Sequence, residues 1–190
     1  RGRLQLPAFF ESTGDFRLEW GSLFLLLSTE LAAGNPNIAY GAPPFEPREM
    51  FIIDSFNLAV SWGLTILIWL VQLIIYPGFH RVPPEDFVLY HRWYTLRISV
   101  VVMPLMLFEL VFLLGWWLGG ADGSSAYTAT LAVGIVWLST FGLQVPIHKR
   151  LQAGKRDALI RRLVATNWIR TAAWSLKAVI VTLATARNGL

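Results

Sequence analysis

The chain has 190 residues, of which 55% are hydrophobic and only 15% are charged. Soluble domains carry roughly 25% charged residues, so the composition excludes an ordinary soluble domain, and the lack of cysteine excludes disulfides, thiolate metal sites and cysteine nucleophiles. The net charge of +4 lies mostly in short loops between apolar segments, which indicates membrane topology and not nucleic-acid binding.

Residues 1–53 form the first predicted region, an irregular N-terminal extension. Turn signals occur at 34–37 and 41–44. The apolar run at 21–33 is too short for a membrane span, which needs about 20 residues. We interpret this run as a helix that lies in the outer membrane interface or docks on a neighbouring subunit. The extension is therefore predicted to be extracytoplasmic or interfacial.

Residues 54–190 contain four apolar segments of membrane-spanning length. Lipid offers the backbone no hydrogen-bond partner, so each segment is expected to be helical. Short connections favour antiparallel neighbours. The sequence predicts an all-α membrane protein, a four-transmembrane-helix up-down bundle with spans at about 55–76, 98–118, 126–147 and 168–186.

Two of the helices are expected to begin before their spans. Pro84, Glu85 and Asp86 place a proline and two acids in a first helical turn, where the helix dipole favours negative charge. Asp157 can cap a second helix that leads into the fourth span. We therefore predict helix starts near Pro84 and Asp157.

The basic residues predict the orientation. Three of them (Arg81, Arg92 and Arg97) follow the first span and six follow the third, whereas the loop GGADGSSA after the second span has none. Basic loops stay in the cytoplasm. We therefore predict a multi-pass protein of the bacterial inner membrane, with both termini extracytoplasmic.

Polar side chains are expected to converge near the cytoplasmic boundary of the membrane. Their positions within the spans put them at similar depth, and their spacing puts those on one helix on one face. Such residues are costly in lipid, which favours a ligand or lipid pocket. Two other interpretations stand beside it: amide side chains as interhelical hydrogen bonds, and histidines as headgroup contacts. The predicted pocket consists of Gln72, His91, Gln144, His148, Asn167, Arg170 and Trp174.

Arg170 also has a purely structural interpretation, as a cation bonded to Gln144 and to helix-end carbonyls. A haem or pigment between His91 and His148 is permitted, although the sequence requires no cofactor. No metal site is predicted, because no two His, Asp or Glu residues stand three or four positions apart within one span.

Glu109 and Lys177 are predicted to form a buried ion pair. At 1.5 Å per residue they lie roughly 16 Å and 14 Å into spans that enter from the same side, so they reach the same level. A lone charge there is expensive, which favours pairing. The alternatives are a protonated Glu109 and a Lys177 that extends toward the interface.

Five segments carry a resemblance to a known group. They are VQLIIYP at 71–77, LYH at 89–91, MPLMLFE at 103–109, QVPIH at 144–148 and TNWIRTAAW at 166–174. Over about 62–186 the chain resembles an uncharacterised bacterial four-helix membrane family in the neighbourhood of anthrone-oxygenase-like domains of unknown function. The resemblance implies four spans and no established activity. Where that pattern has a second histidine, this chain has Tyr94, which departs from a paired-histidine metal or haem site.

Two functions are compatible with these features; the apolar, aromatic N-terminal extension and the lack of a catalytic motif favour the first, and the convergent polar residues favour the alternative. The first is an accessory subunit of a respiratory or photosynthetic type of membrane complex, which packs helices and orders lipid or a hydrophobic cofactor, with lipid and other membrane subunits as partners. The second is a membrane-embedded enzyme or binder of a quinone- or polyketide-like molecule at the cytoplasmic face. Purification in mild detergent separates them, because particle size reports partners and a visible spectrum reports a cofactor.

Overall fold

The computed structural model describes residues 45–120 and 123–187, which form four long helices and no strand. Each helix is long and apolar enough to cross a membrane. The predicted all-α, four-helix fold is thus confirmed, while the interpretation of 21–33 falls on residues outside the described ranges. The helices are α1 (Pro47–Arg81), α2 (Pro84–Leu118), α3 (Gly123–Leu151) and α4 (Asp157–Arg187).

Helix α1 begins at Pro47, ahead of the domain boundary predicted at residue 54. Proline fits the first helical position, and Glu46 and Glu49 cap the helix reciprocally, with the Glu46 N–H donating to the Glu49 carboxylate at 3.0 Å. The capped start precedes the apolar run, which is why hydropathy alone placed the boundary later. Helices α2 and α4 begin at Pro84 and Asp157, as predicted.

Helices α1 and α3 share an irregularity that hydropathy does not reveal. Each contains a five-residue π-helical segment, Val71–Ile75 in α1 and Thr140–Gln144 in α3. A proline follows each segment by two residues, Pro77 and Pro146. Proline lacks the N–H that continues an α-helical ladder, and a wider turn accommodates the interruption. The π segments include Gln72 and Gln144, so they set where these two amides point.

Helix α4 is the central helix of the bundle. It packs mainly against α1 and α3, while α2 packs mainly against α1 and contacts α3 much less. The mean hydropathy of α4 is the lowest of the four, 1.2, yet 50% of its most apolar segment is buried, against 17% for α2, whose value is 2.4. The polar side chains of α4 therefore meet the other helices, and the apolar surface of α2 faces outward.

Candidate functional site

A cavity of about 290 Å³ lies between the facing sides of α2 and α3. Its lining residues recur every three or four positions on both helices, so these are the sides that direct helix packing would cover. Helices α1 and α4 contribute the inner wall through Tyr76, Arg170 and Trp174. Apolar side chains make most of the remaining wall: Leu67, Ile68, Val71, Ile98, Val102, Met103, Met106, Phe141 and Val145.

The cavity opens toward the outer surface of the bundle. Ser99 on α2 and Phe141 on α3 line it and are exposed, so the gap reaches the lipid-facing side between the two helices. Lys149 and Gln152 line it near the end of α3 and are exposed as well. A molecule dissolved in the bilayer can therefore enter sideways.

Arg170 is the polar centre of the inner wall. Its Nε donates to Asn167 Oδ1 at 2.9 Å and its Nη2 donates to the same oxygen and, at 3.1 Å, to the Tyr76 hydroxyl. Asn167 in turn donates from Nδ2 to Gln72 Oε1 at 2.7 Å, and Gln72 Nε2 donates to the Val164 carbonyl at 3.2 Å. Nearly two helical turns of α4, from Val164 to Arg170, are thereby tied to Gln72 in the π segment of α1 and to Tyr76 just after it.

The Tyr76 hydroxyl continues the network to two histidines. It lies 3.0 Å from His148 Nε2, and His148 Nδ1 lies 2.9 Å from His91 Nε2. Arg170 can only donate, so the Tyr76 oxygen accepts from it. When His148 Nε2 is unprotonated, the Tyr76 hydroxyl proton goes to that nitrogen. For neutral rings, His148 Nδ1–H then donates to His91, whose own Nδ1–H has no partner among the described residues.

Gln144 lies on the cavity wall outside this network. Its Nε2 donates to Thr166 Oγ1 at 3.0 Å, and Thr166 donates its proton to the Arg162 carbonyl at 2.8 Å. Thr166 can therefore only accept from Gln144, which fixes the amide orientation and leaves Gln144 Oε1 without a partner among described atoms. The predicted bond between Arg170 and Gln144 is wrong, because Gln144 bonds to Thr166 while the Nε and Nη2 of Arg170 donate to Asn167 and Tyr76.

Arg170 has no counter-ion in the part of the chain that the structure describes. The side chain is buried, with 6% exposed, and the two ion pairs of the described residues involve His80 with Asp157 and Lys177 with Glu109. Its acceptors, Asn167 and Tyr76, are neutral, and its Nη1 donates to none of the described side chains. A guanidinium in apolar surroundings without an anion is costly. This unbalanced charge is the most unusual feature of the cavity.

Trp174 joins the cavity to a second polar cluster. Its ring lines the cavity, and its Nε1–H donates to both oxygens of Glu109 at 3.1 Å. Lys177 Nζ lies 3.1 Å from Glu109 Oε1 and also donates to Ser61 Oγ at 2.9 Å and Asn57 Oδ1 at 3.3 Å. Glu109 and Lys177 are both fully buried. The structure thus places the two charges predicted to pair in direct contact, with all three ammonium protons accommodated.

Tyr76 and Tyr94 are the site residues that sequence reasoning missed. Aromatic residues near membrane boundaries usually form interfacial belts, so neither tyrosine was predicted to belong to the pocket. The only available signal was spacing, since Tyr94 follows His91 by three residues on α2. Tyr76 connects Arg170 to His148, and Tyr94 lines the cavity beside them.

The two histidines do not form a haem or metal site in this arrangement. Their facing ring nitrogens are hydrogen-bonded at 2.9 Å. Two nitrogens bound to one metal ion lie about 3.3 Å apart in tetrahedral geometry and about 4 Å apart on opposite sides of a haem iron. Among the described residues no group of three His, Asp or Glu side chains could hold a metal ion.

Comparisons with family models, curated proteins and solved structures give no match to this chain. The resemblance noted from the five short segments therefore stays a prediction. The site must be interpreted from its own geometry. Of the predicted pocket residues, the network joins Gln72, His91, His148, Asn167 and Arg170, while Gln144 and Trp174 line the cavity beside it.

Proposed function

We propose that the chain is a membrane-embedded binding protein for a small amphiphile. The amphiphile enters between α2 and α3 and places an oxygen of its head group against Arg170. The observation that carries this proposal is the buried guanidinium that faces the cavity with no anion among the described residues. A charged side chain buried within a membrane span is costly, and a ligand oxygen beside Arg170 lowers that cost.

The size and lining of the cavity support an amphiphile. Ligand pockets typically measure about 300–1,000 Å³ and are mostly apolar with a few convergent polar groups. A cavity of about 290 Å³ holds a head group and part of a chain. The rest of the molecule would pass between Ser99 and Phe141 into the bilayer. This arrangement keeps the apolar part in lipid while Arg170 selects the head group.

The proposal predicts that binding depends on Arg170. The experiment uses two photoreactive diazirine probes, an analogue of dodecanoate and an analogue of a short-chain alkyl quinone. Each probe is incubated with the wild type and with Arg170→Gln in nanodiscs. We expect labelling of cavity residues by at least one probe to fall tenfold or more in Arg170→Gln, because bonds to a charged donor contribute about 1.5–3 kcal/mol.

Arg162→Gln is the matched control. Arg162 lies on the same helix, but its side chain is exposed. Thr166 bonds to the backbone carbonyl of Arg162, which the substitution does not change. Labelling should match the wild type there. Equal labelling of wild type and Arg170→Gln by both probes would show that the cavity binds no oxygen head group through Arg170.

Orientation belongs to the same proposal, since it decides which leaflet supplies the amphiphile. The basic loops favour the cytoplasmic side for the His91 end of the bundle, with both termini outside and the bacterial inner membrane as location. The chain has no cysteine, so single cysteines can be introduced cleanly. An impermeant thiol reagent added to intact cells should label Ser124→Cys and spare Ala153→Cys. The opposite pattern reverses the orientation.

The accessory-subunit hypothesis stays a prediction alongside this proposal. The outward-facing apolar surface of α2, only 17% buried in its most apolar segment, is compatible with a further membrane subunit or with lipid. The particle mass of the protein purified in mild detergent separates these two, because a subunit adds mass in stoichiometric amount.

A further inference from the structure

Tyr94 presents an unused hydroxyl to the cavity that contains Arg170. Its side chain is 7% exposed, and the residue lines the cavity from α2. No described side chain or carbonyl hydrogen-bonds to its hydroxyl, whereas buried tyrosine hydroxyls normally find a partner. The hydroxyl has no described partner, yet it is not one of the fully enclosed polar atoms that lack one, such as His91 Nδ1. It is therefore reachable from the cavity.

The ring of Tyr94 is held in place by packing. Phe79 contacts it edge-on, with ring centroids 5.2 Å apart. Tyr94 lines the same cavity as Arg170 and Tyr76. The two tyrosine hydroxyls differ in hydrogen bonding: that of Tyr76 bonds to Arg170 and His148, and that of Tyr94 has no partner among the described residues. The cavity wall thus offers two donors, the guanidinium of Arg170 and the hydroxyl of Tyr94.

We infer that the head group is a carboxylate of a single-chain fatty acid, bound by Arg170 and Tyr94 together. This inference rests on the proposed binding function and names its ligand class. Two donors on the wall of one cavity match the two oxygens of a carboxylate. The negative charge of a carboxylate also balances the guanidinium, which a quinone carbonyl or an alcohol cannot do. Lys149, exposed at the mouth of the cavity, adds a second positive charge along the entry route.

A fatty acid also fits the shape of the site better than a two-chain phospholipid. A cavity of about 290 Å³ lies at the small end of ligand pockets, and its opening lies between two helices. One alkyl chain can pass there into the bilayer, while a glycerophosphate with two chains is too large to place its phosphate at Arg170. Binding of a phosphate head group is tested by including dodecyl phosphate among the competitors.

The experiment measures how well unlabelled competitors displace the photoreactive dodecanoate analogue from the wild type in nanodiscs. The competitors are dodecanoate, dodecanol, dodecyl phosphate and a short-chain alkyl quinone. We expect dodecanoate to compete at least tenfold better than dodecanol and the quinone. Tyr94→Phe should weaken dodecanoate about three- to tenfold, the effect of one hydrogen bond, and leave dodecanol unchanged.

Tyr90→Phe is the control, since Tyr90 lies one turn earlier on α2, is 40% exposed and does not line the cavity. The carboxylate assignment is overturned if dodecanol, the quinone or dodecyl phosphate competes as well as dodecanoate, or if Tyr94→Phe binds it like the wild type. If one of those outcomes is found while labelling still depends on Arg170, only the carboxylate assignment is wrong. Loss of Arg170 dependence for every probe removes the binding function itself. Melting of each variant without ligand shows that the fold is intact.

Discussion

Glu109→Gln and Lys177→Met are each expected to lower the free energy of unfolding by about 3–5 kcal/mol, and the double substitution to cost clearly less than the sum. Each single change leaves a buried charge without its partner. Lys177 would keep only neutral acceptors, Asn57 and Ser61, and Glu109 would keep only the Trp174 N–H. The double variant contains no uncompensated charge, so part of the summed penalty disappears.

The measurement is reversible unfolding in one mixed-micelle system for the wild type, the two single variants and the double variant. A non-additive term of about 1–3 kcal/mol indicates direct coupling. Glu85→Gln combined with Lys177→Met serves as the control, because Glu85 is exposed in the first turn of α2 and should add independently. Single losses of Glu109 and Lys177 that simply add would show that the pair contributes no coupling.

The contact between Glu109 and Lys177 shows that the depth of a residue in the membrane can be predicted from sequence. Depth follows directly from a rise of 1.5 Å per residue, so two charges on helices entering from one side could be placed at one level. The same arithmetic put Gln72, His148 and Arg170 near one boundary. Lipid excludes irregular backbone and unpaired charge, which leaves few arrangements for such residues.

The hydrogen-bond partners could not be predicted in the same way. The π segments at Val71–Ile75 and Thr140–Gln144 turn the helices wider than an α-helix, so the ideal phase no longer tells where Gln72 and Gln144 point. Gln144 accordingly donates to Thr166 and not to Arg170. Tyr76 was not predicted as a site residue, because a tyrosine near a membrane boundary is usually interfacial and the sequence does not show the bonds of its hydroxyl group.

The cavity itself was beyond sequence reasoning for a simpler reason. The facing sides of α2 and α3 have the same apolar spacing whether they touch or stand apart, so periodicity does not distinguish a packed seam from an opening. The structure places Ser99 and Phe141 on the two sides of that opening. Only the positions of the helices show that Arg170 faces a cavity without an anion.

Asn167→Asp is expected to abolish binding of the carboxylate probe while Arg170 itself is retained. Asn167 Oδ1 already accepts from the Nε and Nη2 of Arg170, and its Nδ2 donates to Gln72. A carboxylate at this position keeps the acceptor oxygen and supplies the missing negative charge within the protein. The guanidinium is then neutralised before any ligand arrives, so a ligand anion gains little from entering.

This substitution is the most direct test of the central claim, that Arg170 is left without a counter-ion to bind the head group of an amphiphile. Photolabelling by the dodecanoate analogue is compared among the wild type, Asn167→Asp and Asn57→Asp. Asn57→Asp is the control, because it adds a carboxylate beside Lys177, a buried cation that already has a partner. We predict a loss of tenfold or more for folded Asn167→Asp and wild-type labelling for Asn57→Asp. Wild-type labelling of folded Asn167→Asp would contradict the claim.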